Sequence, residues 1–153
     1  MTNEAFIAMN KDADVRSLAL SKAPEGIDLH YCLQQIEGRQ IAQRKLPSLA
    51  KTDGIIYPAK ISLEQCSSEQ TALYKQQLAE RLLPKNRQNI VDLTGGFGID
   101  FTFLAQLFDE SDYVEHNEDL CKIARHNFSL LHLPQAKIHS MNSEDFIDEM
   151  GNN

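Results

Sequence analysis

The spacing of apolar residues changes character near residue 88. Before it, the apolar positions recur at helical intervals. "DADVRSLALSK", residues 12–22, opens on capping aspartates and carries Val15, Leu18 and Leu20. In "DLHYCLQQIEGRQIAQRK", residues 28–45, Leu29, Cys32, Leu33 and Ile36 follow the i, i+3, i+4, i+7 pattern of one buried helix face, and Ile41 continues it past a weakening Gly38. "LPSLAKTDGIIYPAKIS", residues 46–62, holds two prolines and a glycine and predicts an irregular, partly extended connector. "SSEQTALYKQQLAERLLP", residues 67–84, predicts a helix. Ser67 and Gln70 fit a capping box, Ala72, Leu73, Leu78 and Leu82 form the stripe, and Pro84 stops it.

Beyond "KNRQ" the pattern alternates between strand and helix. "NIVDL" (89–93) is a short apolar run suited to a strand buried on both faces. A glycine turn leads into a helix over 99–108. A strand over 111–117, a helix over 118–133 and a strand over 136–141 follow, and 143–153 begins a further helix or loop. The 118–133 helix aligns Leu120, Ile123, Ala124, Phe128 and Leu131. This β-α-β-α-β series with short connections predicts an α/β fold: a parallel sheet with right-handed crossovers and strand order 3-2-1. Three such strands are half of a doubly wound sheet, and the strand that would pair with the free side of the first is absent. The expected organisation is therefore an N-terminal helical region, 1–88, and a truncated half-sheet, 89–153, forming the N-terminal part of a longer polypeptide. The open edge could also be covered by a second copy through strand or helix exchange.

Composition narrows the classes. At 42% hydrophobic and 24% charged residues the chain is an ordinary globular sequence. No run reaches the about 18 apolar residues of a membrane span. The opening "MTNEAFIAMNKDADV" has acids where a secretory signal has bases, so a cytoplasmic location is expected. Cys32, Cys66 and Cys121 are odd in number and far apart, and the five histidines lack ligand spacing; reduced thiols and no metal site are expected. The net charge of −7 is unevenly spread: −3 over 1–38, +5 over 39–87 and −9 over 88–153. The basic middle segment fits either a polyanion partner such as RNA or simply solvated helix faces.

The stretch "VDLTGGFGID" carries the candidate chemistry. A glycine-rich turn after a first strand commonly holds a nucleotide, but the dinucleotide fingerprint fails because Phe101 stands where the third glycine belongs. No Gly-Lys-Ser/Thr follows for a phosphate loop. Asp92 before the glycines and Asp100 beside the helix start would both repel a phosphate. A ligand with ammonium and sulfonium groups suits these carboxylates better, which points to S-adenosyl-L-methionine. Glu115 ends the second strand, 17 residues after Gly98, where a carboxylate can accept the ribose hydroxyls. The side-chain oxygen of Asn142, just after the third strand, could accept from the adenine amino group.

These residues resemble the opening half of class I S-adenosylmethionine-dependent methyltransferases, with their Rossmann-like sheet. "VDLTGGFGID" resembles their first motif, "YVEHNEDLCKIARHN" their second and "IHSMNSEDF", more weakly, their third. The likeness is greatest to RNA methyltransferases of the trimethylguanosine synthase type. "KLPSLAKTDGIIYPAKISLEQCSSEQTALYK" running into "DLTGGFGID" is similar to the bacterial methyltransferases that carry a THUMP-like domain. The resemblance implies that Asp92, Gly96 and Gly98 shape the methionine end of the pocket and that Thr94 and Gly95 lend backbone. It also implies that Glu115 holds the ribose and His116 flanks the adenine. Asn142 stands where many relatives have Asp. Ser67, Ser68 and Glu69 match, by placement, a helix start that closes over the cofactor in trimethylguanosine synthase; helix capping accounts for them equally.

The resemblance implies that an acceptor-side motif lies beyond Asn153, so no catalytic residue can be named and the chain by itself is expected to be inactive. Two other readings compete with an S-adenosylmethionine-dependent methyltransferase acting on RNA. One is a non-enzymatic helical adaptor that docks a partner through 1–88. The other is a nicotinamide-dependent oxidoreductase, permitted by the glycine turn and Glu115 but opposed by Phe101 and the aspartates.

Overall fold

A computed structural model describes residues 1–133 and 135–152. The chain divides into two compact units, Met1–Glu64 and Gln65–Asn153.

The first unit is helical. Helix α1 (Asn3–Met9) starts at Thr2, whose hydroxyl accepts the Ala5 N–H at 3.2 Å. Asp14 caps α2 (Val15–Ala19), which is shorter than the stretch expected over 12–22; Leu20 falls beyond it and is exposed. Asp28 caps α3 (Leu29–Lys45), the long helix of the unit. Phe6, Cys32 and Ile36 form its core with Ile7, Val15 and Leu18 packed around them. Gly38 does not interrupt α3: it is buried where the Tyr57 side chain comes up to the helix.

The expected irregular connector is partly helical. It contains α4 (Pro47–Ala50), an extended run through Tyr57 and Pro58, and the start of α5 (Lys60–Gln65). The extended run is held as a strand would be. The buried Gln35 amide donates to the Tyr57 carbonyl at 2.9 Å and accepts the Tyr57 N–H at 2.8 Å, satisfying both backbone groups at once.

The second unit begins with α6 (Glu69–Leu82) and then alternates: β1 (Asn89–Asp92), α7 (Ile99–Leu104) continued by a 3-10 turn (Ala105–Leu107), β2 (Glu110–Glu115), α8 (Glu118–Leu130), β3 (Ala136–Ser140) and α9 (Ser143–Gly151). The three strands form one parallel sheet in the order β1-β2-β3, with β2 in the middle. Tyr113 pairs in register with Asp92 on one side and Ile138 on the other. The core lies between this sheet and the helices α7 and α8. Phe101, Ala105, Tyr113, Cys121, Ala124, Phe128 and Leu133 fill it. Its centre is aromatic: Phe101 stacks on Phe128 at 5.2 Å, and the Tyr113 ring meets Phe101 and Phe128 edge-on at 5.7 and 5.4 Å.

Three local expectations are corrected. Strand β1 is only half-buried, because it has a strand neighbour on one side alone among the described residues. The cap of α6 is Ser68, whose hydroxyl accepts the Thr71 N–H at 3.2 Å, and not Ser67. Of the α6 stripe only Ala72 is buried, and Leu73 and Leu82 are exposed. Helix α6 packs instead on α7, with the Gln76 amide donating to the Phe103 carbonyl at 2.7 Å. The compact division falls before α6.

Candidate functional site

The site lies at the carboxyl ends of the strands, where the glycine turn joins β1 to α7. Asp92 ends β1 and accepts the Thr94 N–H at 2.9 Å, which turns the chain out of the strand. The Gly95 N–H donates to the Val114 carbonyl at 2.9 Å, tying the turn to β2. Gly96 and Gly98 have φ of +55° and +84°, the left-handed region open to glycine. Gly98 is the residue from which α7 starts.

The three glycines serve different ends. A Cβ at Gly95 would overlap the Tyr113 ring, and one at Gly98 would lie 2.9 Å from the Phe128 ring. These two are bare for the aromatic core. A Cβ at Gly96 would meet nothing closer than the Thr94 carbonyl oxygen at 3.7 Å. Gly96 alone is bare on an open side.

Glu115 ends β2 beside the turn and is only 8% exposed. Its Oε1 accepts the Gly96 N–H at 3.0 Å, and its Oε2 accepts the Asn117 N–H at 2.8 Å and lies 3.2 Å from His116 Nδ1. The ring of His116 is otherwise exposed. A cavity of about 380 Å³ opens here, lined by Leu93, Thr94, Glu115, His116 and the turn after β3, Met141 to Glu144. That volume is at the small end for a ligand pocket.

The electrostatics of the turn are acidic. Burial pushes the Asp92 carboxyl above its ordinary pKa, the Asp100 and Glu115 carboxylates add to that, and the Thr94 N–H bond opposes it. Asp100 does not stand alone as the sequence suggests: Lys75 on α6 pairs with it at 2.7 Å and also donates to Ser67 at 3.1 Å. One of the two charges expected to repel a phosphate is thus already matched by a cation. The signal for this lay 25 residues away on another helix, where local spacing could not reveal it.

Of the expected residues, Thr94, Glu115, His116 and Asn142 line the cavity. Asp92, Gly95, Gly96 and Gly98 build the turn beside it. Ser67 binds Lys75 and Ser68 caps α6; neither lines the cavity. Asn142 is the cap of α9, its side-chain oxygen accepting the Asp145 N–H at 2.8 Å, so that oxygen has one lone pair left for a ligand. Ser143 and Glu144 also line the cavity and were not singled out in the sequence. Among the described residues no cluster of His, Cys, Asp and Glu is set to hold a metal, and no helix is long and apolar enough to cross a membrane.

No family model matches the chain, and no curated protein sequence matches it significantly. A solved structure does. The crystal structure of a candidate methyltransferase from Porphyromonas gingivalis W83 is similar over 98% of this chain, with a TM-score of 0.75 and 25% sequence identity. The fold is methyltransferase-like. The chain spans 37% of the length of that solved protein.

In a methyltransferase-like fold the arrangement can be tested against S-adenosylmethionine. A half-buried Asp92 with a raised pKa sits where a cationic group would be welcome. Gly96 leaves an open side on the turn. Each Glu115 oxygen already accepts one backbone N–H, yet a carboxylate offers about four acceptor positions, so ribose hydroxyls can still be met. The residues fit the group.

Proposed function

We propose that this chain is the N-terminal, cofactor-binding part of an S-adenosylmethionine-dependent methyltransferase. The observation that carries the reading is the junction of Gly96 with Glu115 beside the 380 Å³ cavity, in a fold similar to that of a candidate methyltransferase. Asp92 and the open side of Gly96 would receive the methionine end, Glu115 the ribose, and His116 and Asn142 the adenine. The bound cofactor would supply the electrophilic methyl group; this chain's residues bind and orient it. The acceptor would be met by residues outside this chain, so the chain by itself is expected to transfer no methyl group.

The dinucleotide alternative is disfavoured by a specific contact. Phe101, at the place of the third glycine, is 1% exposed and packs among Tyr113 and Phe128, so a bulky ring fills the space that glycine would leave for close helix–sheet packing.

RNA is the proposed acceptor class, supported by the +5 charge of residues 39–87. The structure narrows that support. Lys45 donates to the Leu63 and Glu64 carbonyls, Lys60 pairs with Glu37, Lys75 with Asp100, and Arg87 donates to the Leu107 and Pro84 carbonyls. The other five bases are divided, Arg39, Arg44 and Lys51 in the first unit and Arg81 and Lys85 in the second. A second copy pairing along the β1 edge is also proposed as a partner, supported by that edge having no strand neighbour among the described residues.

Isothermal titration of S-adenosylmethionine and of NADH, into this chain and into the product of the complete gene, tests the reading. Binding of S-adenosylmethionine alone is expected, at least in the longer protein. Binding of NADH in its place, or of neither ligand by either protein, would overturn it.

A further inference from the structure

Tyr113 precedes Glu115 by two positions on β2, so both side chains rise from the same face of the sheet. The Tyr113 ring is fully buried among Phe101 and Phe128 and beneath Gly95, and its hydroxyl donates to the Gly96 carbonyl. Glu115 Oε1 accepts the N–H of that same residue at 3.0 Å. Two alternate side chains of one strand therefore grip both polar backbone groups of Gly96. This is the glycine with an open side, held at a positive φ outside any sheet ladder.

We propose that Tyr113 is a positioning residue for the cofactor turn: its buried hydroxyl fixes the Gly96 carbonyl, and through it the peptide plane that a ligand meets. The proposal rests on the reading of the turn as a cofactor site. An apolar strand residue would fill the core equally well, but it would leave that carbonyl without this donor. The hydroxyl is a permanent donor, because burial first, then the neighbouring Cys121, Glu115 and Asp92, hold the phenol protonated far above its ordinary range. Packing sets where the ring lies, and the ring in turn sets where the oxygen lies, so the turn inherits the rigidity of the aromatic cluster.

Tyr113→Phe separates packing from positioning, since the ring stays and only the hydroxyl goes. In the 153-residue chain, the Gly96 carbonyl carbon resonance is expected to move upfield, and its amide to exchange about three- to tenfold faster, the worth of one ordinary hydrogen bond. Amides of the β2–β3 ladder should keep their protection. S-adenosylmethionine affinity of the folded protein should fall by a similar three- to tenfold, with the melting temperature lowered only by the few degrees that one hydrogen bond is worth. A purely structural role would move the melting temperature and leave the affinity of the folded fraction as it was.

Unchanged Gly96 resonances in Tyr113→Phe, or wild-type affinity despite shifted resonances, would overturn the proposal. If neither the wild-type chain nor the product of the complete gene binds S-adenosylmethionine, the functional reading falls, and the Gly96 resonances alone decide whether Tyr113 positions the turn. Should the variant not fold, the wild type still answers. A slowly exchanging Tyr113 hydroxyl proton is expected, and its absence counts against the bond.

Discussion

Lys75 on α6 holds Asp100 on α7 at 2.7 Å, and the other carboxylate oxygen of Asp100 is buried with no hydrogen-bond partner among the described residues. The ammonium is thus the main compensation for a carboxylate placed at the start of α7. Lys75→Met should leave that charge exposed to repulsion from Asp92. Both side chains are partly solvated, at 44% and 33%, so the cost should be about 1 kcal/mol. Urea unfolding of Lys75→Met, Asp100→Asn and the double variant gives the coupling directly. A double variant no better than the sum of the singles would show that the pair contributes nothing.

The glycine turn predicts an order among three alanine substitutions. Gly95→Ala drives a methyl into the buried Tyr113 ring and should abolish folding or cost several kcal/mol. Gly98→Ala combines a left-handed backbone with a 2.9 Å approach to Phe128, for about 2–4 kcal/mol. Gly96→Ala has a left-handed backbone but open space, for about 1–2 kcal/mol. Thermal unfolding of the three proteins should rank them 95, 98, 96 from worst to mildest.

Asp92 offers a test by pH. Its pKa is raised by burial above the ordinary 3.8, so the folded protein holds this proton longer than the unfolded chain. Stability from this group is therefore present below pH 3.8 and is lost as pH rises from there through the raised value. Asp92→Asn removes the buried charge and keeps an oxygen for the Thr94 N–H. The variant should be more stable than the wild type at pH 7, with the gain shrinking toward pH 4. Its affinity for a cationic cofactor should move the opposite way. Equal stability at pH 7 would mean that Asp92 is not charged against its surroundings.

Helix α8 ends in a residue that strains to end it. His132 has φ +58°, the one non-glycine residue with positive φ among those described, and the following Leu133 N–H donates to the Phe128 carbonyl at 3.1 Å. This is the left-handed helix stop that glycine usually provides. His132→Gly should raise stability by about 0.5–1 kcal/mol, read as a higher urea midpoint. A lower midpoint would show that the imidazole makes a contact worth more than the strain.

The half of the chain after residue 88 was legible because each element repeats its own period over a whole length. The observed strands 89–92, 110–115 and 136–140 lie within a residue or two of the expected ones; the helices between them start where expected, but α8 ends three residues early and α7 passes into a 3-10 turn after Leu104. Helix α1 was not legible: "NEAFIAM" is seven residues with a single buried side chain, too short for a period to show. In the turn, the positions of the glycines could be read but their purposes could not. Gly95 and Gly98 answer to Tyr113 and Phe128, residues 18 and 30 positions downstream. The pairing of Asp100 escapes a reading of the sequence for the same reason, since Lys75 lies 25 residues away on another helix.

The allegiance of α6 bears on how the gene can be cut. A product beginning between residues 77 and 88 would lose most or all of the helix that covers α7, and with it the Lys75 ammonium and the Gln76 bond to the Phe103 carbonyl. One beginning at Gln65 would keep them all. In a library of start sites screened for soluble expression, survivors should thin out sharply once the start passes Gln76, well before the first strand is touched.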